Sequence, residues 1–136
     1  MATGETNAPS TTLPAATALA AAAVAGDGQF CAVSIDTAGR AKLGDGSAGT
    51  PETLIGILQN KPKAIGQAAN IQTLGVSKGR ADAAFSIGDD LSAKSDGKLA
   101  TAVATDIAIA VALEAATAED EVVSVFIHAP YEVVTQ

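Results

Sequence analysis

Aromatic side chains make up only 3% of this 136-residue chain, and tryptophan is absent. Phe30, Phe85, Phe126 and Tyr131 are the only Phe, Tyr or Trp residues. Apolar residues still reach 48%, but alanine supplies much of that share. Alanine buries little area, so the core is thin for the length, and contacts between subunits are expected to supplement it. Any two carboxylates could meet as a glycosidase pair. Sites that cleave sugars generally carry aromatic platforms, however, and this chain has almost none.

Cysteine and histidine are each represented once. A single Cys31 excludes an intrachain disulfide. Its setting, Phe30-Cys31-Ala32-Val33-Ser34-Ile35, reads as a small buried hydrophobe rather than a nucleophile. His128, beside Pro130, has no partners for a catalytic triad, and one His with one Cys leaves no ordinary zinc site. It is expected at a strand edge or on the surface.

Basic residues are few: eight Lys and Arg against fifteen Asp and Glu, for a net charge of −7 and a pI near 4.4. They are scattered singly, with no stripe to follow a phosphate backbone, so no nucleic-acid partner is expected. The longest alanine-rich run, residues 13–25 (LPAATALAAAAVA), is about thirteen residues and too short and weakly apolar to span a bilayer, so no membrane partner is expected either. Ala23-Val24-Ala25 resembles a leader-cleavage site, but the first twelve residues hold no Lys or Arg and Glu5 is acidic, which argues against a secretory leader. There is no phosphate loop, and the Asp-Gly pairs at Asp27, Asp45 and Asp96 lack calcium-loop spacing. Asp89-Asp90 and Glu119-Asp120-Glu121 are the only acidic clusters that could hold a cation, and turn or solubility roles suit them better. No catalytic, cofactor-binding or metal-binding residue is assigned, and no enzyme is expected.

What is present is a repeated β-pattern. Residues 107–127 read IAIAVALEAATAEDEVVSVFI. Ile107, Ile109, Val111 and Leu113 alternate with alanines, the period of a strand. An acidic connection, residues 114–121, leads to a second β-branched run, residues 122–127. Residues 55–73 (IGILQNKPKAIGQAANIQT) lie on residues 109–127 without a gap: Ile55 meets Ile109, Ile57 meets Val111 and Ile71 meets Val125. Each copy follows a Gly-basic turn, Gly39-Arg40 and Gly97-Lys98. The chain therefore reads as one pseudo-symmetric all-β domain, a small barrel or sandwich built from a duplicated strand-loop-strand unit. A helix over the alanine-rich residues 99–118 is the competing reading, and both the period of two and the strand-like twin oppose it.

In order, residues 1–25 are expected to be an N-terminal arm and residues 26–136 the β-domain. Within the arm Thr12 could cap a helix that Gly26 closes. The arm lacks a core of its own and is expected to dock against a neighbouring chain. Strands are expected at residues 29–35, 40–43, 54–58, 69–76, 81–85, 91–93, 98–102, 107–113 and 122–127. Lys78-Gly79-Arg80 is read as a turn, residues 44–51 as an exposed loop, and Pro130 as the end of the sheet, with residues 131–136 a tail. Ile109 and Val111 are expected to point into the core.

Gly26-Asp27-Gly28, the Gly-basic turns, Leu54-Ile55-Gly56-Ile57-Leu58, Phe85-Ser86-Ile87-Gly88-Asp89-Asp90-Leu91 and Ile109-Ala110-Val111-Ala112-Leu113-Glu114-Ala115-Ala116 follow one another in a distinctive order. That order, over roughly residues 24–129, resembles the capsid cement or head decoration proteins of tailed bacteriophages, the DUF2190 family. The resemblance implies a structural, non-enzymatic protein of the virion. It would sit as a homotrimer on the outer surface of the capsid and clamp the phage major capsid protein. The alternative is a β-barrel binding module that displays loops such as residues 44–50 to a host glycan or other ligand.

Overall fold

A computed structural model describes residues 10–16, 28–47 and 51–134. These form ten strands in two antiparallel five-stranded sheets, a sandwich-like all-β fold without a closed barrel. The strands are β1 (Ser10–Pro14), β2 (Ala32–Ile35), β3 (Ala41–Leu43), β4 (Leu54–Leu58), β5 (Ala68–Gln72), β6 (Gly75–Arg80), β7 (Asp90–Ala93), β8 (Leu99–Thr101), β9 (Ile107–Ala112) and β10 (Val122–Glu132). The first sheet runs β1-β5-β4-β2-β3 and the second β6-β10-β9-β7-β8. Adding five to each strand of the first order yields the second.

The duplication extends to register. Ile57 pairs with Gln72 and Leu58 with Ile71; 54 positions on, Val111 pairs with Phe126 and Ala112 with Val125. Val33 pairs with Leu43 and Ile35 with Ala41; 58 positions on, Leu91 pairs with Thr101 and Ala93 with Leu99. Even the backbone irregularities recur. Gly66 and Asp120 both take positive φ, and their N–H groups donate to the carbonyls of Ala15 and Ala81. Phe30 and Gly88 form a second such pair, with N–H groups donating to Leu58 and Ala112. Strain tolerated at non-glycine Phe30 and Asp120 shows how tightly the surrounding ladder holds the chain.

This equivalence corrects the reading of the N-terminus. β1 pairs with β5 over Ser10↔Gln72 to Pro14↔Ala68, as β6 pairs with β10. Ala15 is fully buried and bridges Ala41 in parallel, as Ala81 bridges Leu99. Residues 10–16 are thus the outer strand of the first repeat and not a detached arm or a helix capped at Thr12. Their docking surface is the chain's own sheet. The rest of the proposed arm lies outside the described residues.

Other boundaries move for identifiable reasons. Lys78-Gly79-Arg80 lies within β6, not in a turn. Gly79 is needed because a Cβ there would meet Leu99 Cδ1 at 2.6 Å and Val125 Cγ1 at 3.2 Å. The turn falls instead at Thr73–Leu74, before Gly75 with φ +94. Residues 81–85 are not a strand and make only single bridges at Ala81 and Phe85. Pro130 does not end the sheet. It occupies a register shift between Ile127 and Tyr131, where a missing N–H is tolerated, and Tyr131 and Glu132 resume pairing with Ala108 and Ile107. No helix occurs between residues 99 and 118.

The core is also arranged differently along β9. Ala108, Ala110 and Ala112 are buried with Ile109, while Ile107 and Val111 are half-buried and Leu113 is exposed. Ile109 is fully buried as expected; Val111 is only half-buried. Ala110 lies beside Leu91 and Ile127, and Ala112 beside Val125, on the neighbouring strands, and these residues share one buried cluster. A smaller cluster in the first sheet joins Ala15, Val33, Ala41, Leu58, Ala69 and Ile71. The two repeats are stitched together by backbone bonds: Ala32 N–H to Gly97 carbonyl (2.7 Å), Arg80 N–H to Phe30 carbonyl (2.9 Å) and Gly46 N–H to Ala93 carbonyl (3.0 Å).

Candidate interaction surface

The sequence-level candidates for chemistry take structural positions. The Glu119-Asp120-Glu121 cluster does meet a cation, but one from the chain itself. Lys98, 6% exposed, donates through Nζ to Glu119 Oε2 (2.6 Å) and Asp120 Oδ1 (3.1 Å), with Asp96 at 3.5 Å. The hydrogen bond donated to Glu119, which favours the charged form, outweighs burial and holds the Lys98 ammonium well above its usual range. Lys98 follows the Gly97 turn, so this contact ties the β7–β8 hairpin to the β9–β10 loop. Glu121 instead accepts from Thr117 N–H and Oγ1, and these bonds lower its pKa.

Asp89 accepts from Ser86 N–H (2.9 Å) and Thr101 Oγ1 (3.3 Å), a local clasp ahead of β7. Its neighbour Asp90 bonds the Tyr131 hydroxyl, which, after burial, helps raise the phenol's pKa. Among the described residues no three His, Cys, Asp or Glu side chains converge as a metal site. Cys31 is fully buried, and burial pushes its thiol up to about 12, far from a nucleophile's range. His128 stacks on Tyr131 with centroids 5.2 Å apart, and its Nδ1 lies 2.8 Å from the Ala129 carbonyl.

The loop expected to be exposed at residues 44–51 begins buried. A Cβ on Gly44 would meet Leu54 Cδ2 at 2.6 Å, and one on Gly46 would meet Ser92 Oγ at 2.8 Å. Gly46 also receives the Ile107 N–H (2.7 Å). The described part of this segment joins the two sheets; residues 48–50 lie outside the described residues.

What does face outward is a row of apolar side chains across the second sheet. Val76, Phe126 and Val111 stand opposite one another on β6, β10 and β9. Val76 is 63% and Phe126 41% exposed. In the first sheet the equivalent row is Ser10, Gln72 and Ile57. The repeats have kept the same backbone and diverged at two of these positions, where polar Ser10 and Gln72 correspond to Val76 and Phe126; Ile57 is apolar and fully buried. Alternation along β10 could have shown it, since Phe126 falls between the inward Val125 and Ile127, but the identity of the row needs the pairing.

With the two sheets and their faces defined, the fold can be compared with solved structures. It resembles a phage head fiber base. The crystal structure titled head fiber gp8.5 N base in bacteriophage phi29 matches with a TM-score of 0.60 and 14% sequence identity, over 93% of this chain and 98% of that one. No protein-family model matches the sequence. No curated protein matches it in sequence. The likeness is therefore one of fold, covering both repeats and nearly the whole length of each chain.

No helix among the described residues is long and apolar enough to cross a membrane.

Proposed function

We propose that this chain is a non-enzymatic structural protein of a bacteriophage head, bound to the outside of the capsid as a homotrimer that reinforces contacts between major capsid subunits. The observation that carries the reading is the fold likeness to a phage head fiber base across 93% of the chain. The order of sequence motifs points the same way independently. The apolar row Val76, Phe126 and Val111 supports an assembled state, because three strands contribute one contiguous apolar face that a monomer would leave wet. The thin, alanine-rich core supports it too.

The test is electron microscopy of complete particles together with sedimentation of the purified chain. The expected result is density for this fold on the outer shell at three-fold or quasi-three-fold positions. A trimer is expected either free or on the particle. Replacing Phe126 with Glu should reduce trimers and head occupancy while the isolated β-domain still folds. Particles lacking any such density, or a strict monomer at every position, would overturn the reading.

A further inference from the structure

We propose that the groove between the two repeats is a saccharide-binding site selective for a carboxylated sugar. The groove holds about 500 Å³ and is lined by Phe30, Gln59, Gln72, Val76, Lys78 and Ser124, with Ser77 at its floor. It is built from both repeats: the end of β4, the end of β5, β6 and β10.

Two features make it a site rather than a dent. The first is a pair of pinned amides. Gln59 Nε2 donates to the Ile57 carbonyl (3.0 Å) and Ser77 Oγ (2.9 Å). Gln72 Nε2 donates to the carbonyls of Leu74 (3.1 Å) and Val76 (2.7 Å). Each amide has two hydrogens, and both are used. The orientation of each amide is therefore fixed, and each Oε1 is an acceptor without a protein donor among the described residues. Two rigid acceptors suit a ligand rich in hydroxyl donors and bind it without first being ordered.

The second feature is the cation. Arg40, Lys42 and Lys98 are engaged by carboxylates. Lys78 has no such partner among the described residues; its Nζ lies 5.7 Å from the centre of the Phe30 ring. An exposed ammonium held beside an aromatic ring, in a chain of net charge −7, is positioned for a single anionic group. A sugar ring would donate hydroxyls to Gln59 and Gln72, rest its C–H face on Phe30, and place its carboxylate on Lys78. In the second repeat the positions equivalent to Gln59 and Gln72 are Leu113 and Phe126, so that repeat does not duplicate the two amides. The site does not depend on attachment to a head.

The test is saturation-transfer NMR on the full chain with sodium glucuronate, N-acetylneuraminate and glucose as probes. Transfer to at least one of the two acids is expected, at least fivefold stronger than to glucose. Gln72→Phe, which imports the residue of the second repeat, should weaken binding at least tenfold with little change in melting temperature. Lys78→Glu, at an exposed position, should abolish the preference for the acids. Absence of transfer from all three probes would overturn the proposal. So would transfer undiminished in Lys78→Glu, or acid binding displaced by a glutamate-rich peptide and not by sugar.

Discussion

Ile71→Ala tests whether the first repeat has a core of its own. Ile71 is fully buried on β5, between β1 and β4, in a cluster with Val33, Leu58 and three alanines, Ala15, Ala41 and Ala69. The substitution removes three carbons, about 2.4 kcal/mol of transfer free energy at about 0.8 kcal/mol each. A cavity term adds to this, and Ile→Ala changes span about 2–5 kcal/mol according to how far the site can collapse. Here collapse is limited. Alanines have no side-chain torsion to turn into the void, and both neighbouring strands hold Ile71 in register through Thr11 and Leu58. The expected loss is therefore about 3–4 kcal/mol, well above the low end of that range. For a chain of this size that corresponds to a fall in melting temperature of about 10–15 °C. Without tryptophan the assay is far-UV circular dichroism under urea, where the midpoint should fall at unchanged slope. Ile71→Val should lose only about 0.5–1.5 kcal/mol. A loss below about 1 kcal/mol in Ile71→Ala would refute the reasoning, since it would mean that this cluster is a loose surface and the second repeat alone holds the fold.

Removing residues 1–16 should destabilise the β-domain measurably and expose β5 as an edge; a truncated chain that melts with the full one would remove β1 from the folded unit. Gly56→Ala should be severely destabilising, by about 2–3 kcal/mol or more, because its Cβ would lie 2.2 Å from the Gln72 backbone oxygen, and an unchanged urea midpoint would show that the strands can part there. Asp36, Glu114 and Glu121 have pKa values lowered, Asp36 and Glu114 chiefly by backbone N–H bonds and Glu121 by its Thr117 contacts. Their contribution is present above the ordinary carboxylate range and is lost as pH falls through the depressed values, so the urea midpoint should drop as the pH is lowered below the ordinary carboxylate range. Lys98 has the opposite sign: its contribution is complete below its ordinary value of 10.5 and is lost only as pH rises beyond that, so Lys98→Met should flatten the alkaline limb of the stability profile.

Much of the repeat was legible in residue order. The gapless match of residues 55–73 to residues 109–127 reappears as identical pairing 54 positions apart, and the Gly-basic turns return 58 positions apart with φ +77 at Gly39 and +80 at Gly97. Such features are local. A glycine at positive φ or a run of β-branched residues states its preference within a few positions. β1 was not legible, because Ser-Thr-Thr-Leu-Pro has little apolar periodicity and its partner β5 lies 58 residues away. Its role as a strand is conferred by the edge it completes. The same holds for Gly79, which resembles a turn residue but is a close-packing position decided by Leu99 and Val125. It holds for the acidic loop, whose cation proved to be Lys98. On β9, alternation alone told which residues share a face but not which face is inside. The neighbouring strands β7 and β10 decided that: Ala108, Ala110 and Ala112 are buried, Ile109 is buried with them, and Val111 is left half-buried. The sequence by itself thus determined the duplicated all-β character of this protein. Only the tertiary structure decided which surface is core, which groove carries pinned amides and which row stands open to a partner, because those depend on what lies opposite each residue across the fold.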